Sequence, residues 1–292
     1  LRHRPIGFYS KSCPKAESII RSTVKKHFAT RPFIAPAWLR LHFHDCFIRG
    51  CDASNLIDGP GTERQTPLNQ NIPAFDVIDD AKAQLEAECP GIVSCADILA
   101  LGARDSVILT KGISWEVPTG RRDGKISLAS DTQALTGFRD PVQVQMKKFA
   151  EKGLDTQDFV ALLERFLSNQ NTNYSNTGRP DPSIDPEFLP QLQKLCPKEG
   201  NGTNRVGLDF YSPTKFDSVF YDSIIKERGI LAVEQQMLSE NSTRPYVHRF
   251  TNTSLFKEQF GRSMVKMSNI DVKTGNDGVK LEKFALLLIN EK

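Results

Sequence analysis

The residues best placed to do chemistry lie in the stretch 39–54, LRLHFHDCFIRGCDAS. Arg40, His42, His44 and Asp45 fall close together, and Cys46 and Cys51 then close a small loop. In a helix, Arg40 and His44 are i,i+4 neighbours on one face. His42 lies about 200° round from His44, so only one imidazole shares Arg40's environment. A guanidinium beside an imidazole opposes its protonation, because like charges would meet. The neutral imidazole is a general base, and the arginine stabilises an anion forming nearby. Asp45, Asp52 and Ser54 add hard oxygens around a loop that also offers backbone carbonyls. That donor set suits calcium better than a transition metal.

Each piece alone has a plainer reading: a packed or solvated histidine, a local cystine, acidic residues in a turn. The joint spacing singles the stretch out. It resembles the distal signature of the secretory plant haem peroxidases (class III), R-L-H-F-H-D-C-F followed by G-C-D-A-S. The resemblance implies a mainly α haem-peroxidase fold, with distal and proximal helical halves around a haem cleft and only minor short strands. It implies one domain over 1–292, the distal half at 1–140 and the proximal half at 141–270 with parts of its usual helices missing. The implied activity is hydrogen-peroxide-dependent oxidation of small phenolic or aromatic donors, with haem b and calcium as cofactors.

By the same resemblance, Arg40 assists O–O cleavage, His44 takes the peroxide proton and Phe43 shields the haem edge. These three residues contact the cofactor in the family. Asp45, Ile48, Gly50, Asp52 and Ser54 match the distal calcium set, Ile48 and Gly50 through their carbonyls, and Glu63 matches a carboxylate linked to it through water. Asn69 matches an asparagine that holds the distal histidine's tautomer, with Asn71 as its competitor in TERQTPLNQN. Asp209, Ser212, Lys215 and Asp217 match four positions of a second calcium site, Lys215 through its backbone. Cys13–Cys89 and Cys46–Cys51 match two of the family's bridges.

Composition sets the class. Of 292 residues, 39% are hydrophobic and 25% charged, as in a soluble globular protein. A net charge of +3 is too mild to argue for a nucleic-acid surface. The longest unbroken apolar run, 284–289, is far short of a membrane span. No signal peptide is present, and a start at Leu1 reads as a processed form. Asn173, Asn201, Asn241 and Asn252 each begin an N-x-Ser/Thr sequon. Together with the cysteines they favour a secreted protein, extracellular or vacuolar, and the family implies a monomer.

The elements that must position these residues read as helices. Pro14 sits at the opening of a first helix whose Ile19, Ile20, Val24 and Phe28 recur at helical spacing. A second, 33–44, carries the distal motif. Residues 59–73 read as a long loop, and Phe75, Ile78, Lys82 and Leu85 begin a helix ending near Cys89-Pro90-Gly91. Cys95-Ala96-Asp97 followed by ILALGARDSVIL reads as a central buried helix. Asp97 there needs a partner. Arg121 in GRRDG is expected to supply it, as in the family's buried Asp–Arg pair. Residues 115–119 read as a short strand. Further helices are expected at 142–152, 155–167, 188–195, 215–226 and 255–268, with a loop at 168–186. There is no internal repeat.

The chain departs from the family most seriously at one strip. The family pattern D-L-V-A-L-x-G-G-H-T-I-G-x-x-x-C supplies the proximal haem-ligating His, a calcium-binding Thr and a Cys. Here Asp158-Phe159-Val160-Ala161-Leu162-Leu163 passes directly into Glu164-Arg165-Phe166-Leu167. The imidazole on haem iron anchors the cofactor and sets its reactivity. The remaining histidines are His3, His27, His42 and His248, and His248 in PYVHRF is the nearest substitute. Glu234 stands where the family has the Asp that hydrogen-bonds the proximal His. The missing Thr weakens the second calcium site. Thr136 replaces the family's substrate-channel proline. Cys95 and Cys196 have lost their family partners, which leaves them as free thiols or, if the fold brings them within about 7 Å Cα to Cα, as a pair with each other. The leading reading is a haem peroxidase. The alternatives are a non-enzymatic, haem-poor relic of the fold, and a thiol-based redox protein using Cys95 or Cys196.

Overall fold

The structure, a computed structural model, describes residues 5–137, 140–166, 184–195 and 209–280. The chain divides into two compact units, Leu1–Leu135 with Met264–Lys292, and Thr136–Ser263. Among the described residues the regular structure is helical, apart from one antiparallel bridge between Asp123 and Val279.

The first unit is built on four α-helices: α1 (Ala16–Phe28), α2 (Ile34–Arg49), α3 (Phe75–Glu88) and α4 (Cys95–Leu109). Of the expected stripe, helix α1 buries Ile20 and Val24 one turn apart and leaves Ile19 and Phe28 half-buried, with Lys25 and Lys26 in its last turn. Helices α2 and α4 are buried almost all round, so neither has a polar face. They pack against each other closely enough that Trp38 Nε1 donates to the Leu99 carbonyl at 2.9 Å. Gly102 makes this approach possible, since a Cβ there would strike the Trp38 ring. Cys13–Cys89 ties the start of the chain to the end of α3.

The N-terminus of α4 collects the polar groups of this core. Ser94 Oγ accepts from Asp97 N at 3.2 Å, and the Asp123 carboxylate accepts from Cys95 N and Ala96 N at 3.1 and 2.9 Å. These oxygens satisfy amides that the first helical turn leaves without partners. The expected partner of Asp97 is in place: Arg121 Nη1 meets Asp97 Oδ1 at 2.8 Å, and both side chains are fully buried. Tyr9 Oη, Gly120 N and Arg121 N donate to the other Asp97 oxygen at 2.6, 2.7 and 3.1 Å. Arg121 Nη2 in turn donates to the Ser268 carbonyl at 2.6 Å, fastening the segment after α11 (Thr253–Met267) to this core. Burial and the Asp97 charge push the Tyr9 phenol up, so it stays a donor.

The second unit contains α5 (Val142–Glu151), α6 (Thr156–Phe166), α7 (Leu189–Leu195), α8 (Val219–Ile225), α9 (Ala232–Ser239), α10 (Arg244–Phe250) and most of α11. An aromatic cluster centres it, with Phe216 stacked on Phe256 at 5.2 Å and edge-on to Phe260 at 4.7 Å. Buried Asp158 accepts from Ser263 Oγ and Gln259 Nε2 at 2.7 and 3.2 Å. Among the described residues, no helix is long and apolar enough to cross a membrane.

Three expectations are corrected. Residues 115–119 form no strand, because no extended neighbour lies alongside to complete a ladder. The helix expected over 215–226 begins only at Val219, because Asp217 Oδ1 accepts from Val219 N and the preceding residues turn back on themselves. Helices α9 and α10 were not anticipated. Both are short, and the signal for α10 is Pro245 in its first turn. The loop at 168–186 lies mostly outside the described residues.

The buried pair sets a stability test. Replacing Arg121 with Met leaves a carboxylate buried without its counter-charge, and costs about 3–5 kcal/mol in urea unfolding. Removing both charges in Asp97→Leu/Arg121→Met costs less than the single substitution, because no lone ion then remains.

Candidate active site

Helix α2 brings Arg40 and His44 together and turns His42 away, as the helical spacing requires. Arg40 Nε donates to His44 Nε2 at 3.3 Å, while Arg40 Nη2 donates to the Leu68 carbonyl at 3.4 Å. On the other side of the ring, His44 Nδ1 lies 2.6 Å from Asn69 Oδ1. Asn69 is itself oriented, since its Nδ2 donates to the Glu63 carbonyl at 2.9 Å. With the amide held that way, its oxygen faces His44 and the ring proton belongs on Nδ1. The Nε2 lone pair is then the basic one. Asn69 is fully buried and Asn71 exposed, which decides between the two asparagines.

Burial, reinforced by the Arg40 charge and only partly offset by Asn69, lowers the His44 pKa to about 3. The imidazole is therefore neutral at ordinary pH. His42 is also lowered to about 3, by burial and then by Arg121, but its Nε2 meets Ser268 Oγ at 2.8 Å. It is a core histidine. Phe43 is buried against Phe47, with ring centroids 4.2 Å apart, and lies 5.9 Å from the His44 ring.

The end of α2 leads into the oxygen-rich loop. Cys46–Cys51 closes it, Gly50 takes φ 85°, and Ala53 takes a left-handed φ of 60°. A side chain at Gly50 would run into Asp271 at 2.6 Å, so glycine is required by space as well as by angle. Asp45, Asp52, Ser54 and Glu63 are all buried here. Both carboxylate oxygens of Asp45, both of Glu63 and the Ser54 hydroxyl have no hydrogen-bond partner among the described residues. Burial and then the neighbouring Asp52 hold the Asp45 carboxyl far above its usual range. Burial, again with Asp52, pushes Glu63 up to about 8. Orphaned hard oxygens gathered around a tight loop fit a calcium ion. His42, Asp45 and Cys46 also lie close together, but the Cys46 sulfur is bonded to Cys51, so they are not a metal site.

The residues matched to a second calcium site are brought together too, but differently. Ser212 Oγ lies 2.6 Å from Asp209 Oδ2 and 2.9 Å from Asp217 Oδ1, and Lys215 N donates to the Ser212 carbonyl at 3.0 Å. Here the carboxylates already have donors: the single Ser212 hydroxyl proton lies between them, and the Ser212 and Val219 amides donate to Asp209 and Asp217. Glu234 Oε2 accepts from Ile230 N and Leu231 N at 2.7 and 2.9 Å, capping α9, and burial pushes its carboxyl up to about 8. His248 is exposed in α10, whose buried face is Val247 and Phe250. It is therefore a surface residue and not a substitute iron ligand. His27 is held at the surface by Asp80 and Arg31, each at 2.8 Å. No described residue of Thr136–Ser263 offers a buried imidazole, so this donor set does not fit a histidine-ligated haem. Cys95 is buried, and burial with the Asp123 charge raises its thiol far above the reactive range. Cys196 lies outside the described residues. Ser268 and Lys273 join the distal region without having been singled out, because nothing local in MSNI or DVKTG marks them, and Asp123 does so from the GRRDG turn that was noted only for Arg121.

The lowered histidines make a pH test. Between about pH 6.5 and pH 3 the unfolded chain protonates His42 and the folded chain does not, so acid favours unfolding. The stability of the wild type relative to His42→Gln should therefore fall by about 1.4 kcal/mol per pH unit over that window. Taking the difference cancels the buried carboxylates, whose raised values act in the opposite sense. Urea unfolding at several pH values reads it.

The peroxidase family model matches residues 20–253. The chain is 51% identical to Peroxidase N1 of Nicotiana tabacum, over 94% of this chain and 87% of that protein. It is 50% identical to Peroxidase 25 of Arabidopsis thaliana, over 93% of this chain and 88% of that one. Peroxidase 62 of Arabidopsis thaliana is 50% identical, over 94% and 89%. A family match spanning most of the chain, these identities and a mainly helical fold carrying the distal constellation place this protein in the peroxidase family, among the plant secretory (class III) peroxidases.

Proposed function

We propose that this protein oxidises small phenolic or aromatic donors at the expense of hydrogen peroxide, as a haem peroxidase of the secretory plant type. The observation that carries the reading is the aligned set Arg40, His44 and Asn69. Asn69 holds the His44 proton on Nδ1, so the Nε2 lone pair, which accepts from Arg40 Nε in this structure, is the one to take a proton from hydrogen peroxide and return it to the departing oxygen. Arg40 stands beside that nitrogen, where its charge stabilises a developing peroxide or hydroxide anion and keeps His44 neutral. Phe43 adjoins the base as an apolar wall that limits water.

Calcium belongs to the distal set. Asp45, Asp52 and Ser54 would hold it through side chains, Ile48 and Gly50 through carbonyls, and Glu63 through water. The ion would neutralise carboxylates that otherwise resist ionisation. It would also fix the Glu63 backbone, from which Asn69 and then His44 are oriented. The Asp209, Ser212, Lys215 and Asp217 set is a weaker candidate, since its oxygens already have partners. Haem b is the cofactor the family implies. The chain provides distal groups for it without the family's proximal imidazole, and no step is assigned to the iron.

The working protein is a secreted monomer acting on peroxide and small donors, with no role for nucleic acid or membrane. Two of its sequons, Asn241 and Asn252, are exposed and open to glycosylation.

The test is direct. Purified protein supplied with haem and calcium should develop a Soret band that shifts on adding peroxide, and should oxidise a phenolic donor. His44→Leu and Arg40→Leu should each lower kcat/KM by about 10²–10⁴-fold. No Soret band and no turnover would overturn the reading in favour of the haem-poor relic.

A further inference from the structure

We infer that Lys273 is a built-in counter-cation of the distal carboxylates, competing with calcium for Asp52 and setting how tightly the ion is held. The inference rests on the distal calcium reading above. Asp52 is buried, and its Oδ1 accepts from Ser54 N at 3.1 Å. Its other oxygen, Oδ2, is taken by the Lys273 ammonium in a direct ion pair. The neighbouring Asp45 and Glu63 oxygens have no partner among the described residues. One ammonium therefore lies at the edge of a group of carboxylates that a divalent cation would satisfy.

The backbone fixes where that ammonium is presented. Cys51 N donates to the Ile270 carbonyl at 3.0 Å, immediately beside the calcium loop. Arg122 N donates to the Lys273 carbonyl itself at 2.9 Å, and Asp123 exchanges hydrogen bonds with Val279 at 2.8 and 2.9 Å. The strap after α11 is thus pinned before, at and after Lys273. Its side chain remains 31% exposed, so the ammonium has a route to solvent when a stronger cation arrives.

The competition follows from charge. A calcium ion sharing Asp52 would lie close to the ammonium, and the two cations repel. Binding must either push Lys273 outward or tolerate it. Each lowers affinity, although partial exposure screens the effect. In return, Lys273 offsets part of the carboxylate repulsion while the ion is away. Lys273 pairs with Asp52 and does not itself hold the metal, so it is a positioning residue.

The experiment uses the full chain, stripped with a chelator and titrated with calcium by calorimetry. Lys273→Met should bind calcium about tenfold more tightly than the wild type. It should also melt at a lower temperature than the wild type in chelator, and at a similar temperature with saturating calcium. Lys273→Arg keeps the charge and should bind within about twofold of the wild type. Equal affinity for wild type and Lys273→Met, with binding lost in Asp45→Asn, would overturn the role of Lys273 and leave the calcium site standing. Tighter binding by Lys273→Arg as well as Lys273→Met would overturn the charge argument. No calcium uptake by any of these proteins would overturn the site and the role of Lys273 together.

Discussion

Four carboxylates, Asp45, Asp52, Glu63 and Asp123, are buried in one region of the first unit, and their mutual repulsion must be answered there. The structure answers it piecemeal. Asp123 is spent on the α4 N-terminus, where two amides donate to its carboxylate. Asp52 is shared between a backbone amide and Lys273. The side-chain oxygens of Asp45 and Glu63 have no hydrogen-bond partner among the described residues, and burial, with the Asp52 charge beside them, holds both carboxyls high. A cation resolves that tension, and the hydrogen bonds leading to His44 start from the backbone of the same Glu63. The carboxylate-rich loop and the buried His44 are parts of one hydrogen-bonded arrangement.

The reactive side depends equally on denying charge to His44. Burial does most of this, and Arg40 adds to it. The same burial applied to His42 gives an equally neutral ring with no chemistry, because Ser268 occupies its nitrogen. Two histidines two residues apart thus share one pKa direction and have different work. What separates them is the side of α2 on which each falls, and the partner waiting there.

A tension runs through the protein. Arg40, His44 and Asn69 are joined by hydrogen bonds, and the relatives this chain matches are peroxidases. Yet the strip that supplies the family's proximal imidazole is absent from the sequence, and His248, the remaining candidate, sits at the surface of α10. Glu234 stays buried with one oxygen unanswered among the described residues, capping a helix in place of serving a histidine. The strip after Leu163 is where the chain departs most seriously from the family pattern.

The sequence by itself determined the distal site. Its motif is local, and i,i+4 geometry alone places Arg40 with His44 and sends His42 elsewhere. It also indicated that Asp97 needs a counter-charge, because it lies within so apolar a helix, and the family resemblance pointed to Arg121 as that partner. Helices with one apolar face, such as α1, were legible from their period, whereas short α9 and α10 carry too few turns to show one. Only the tertiary structure decided which asparagine serves His44, since Asn69 and Asn71 differ in burial and not in type. It alone revealed that Asp123 caps α4, that Ser268 holds His42 and that Lys273 meets Asp52. These contacts join residues far apart in the chain, and a long-range pairing leaves no periodic or local signature in the amino acids that make it.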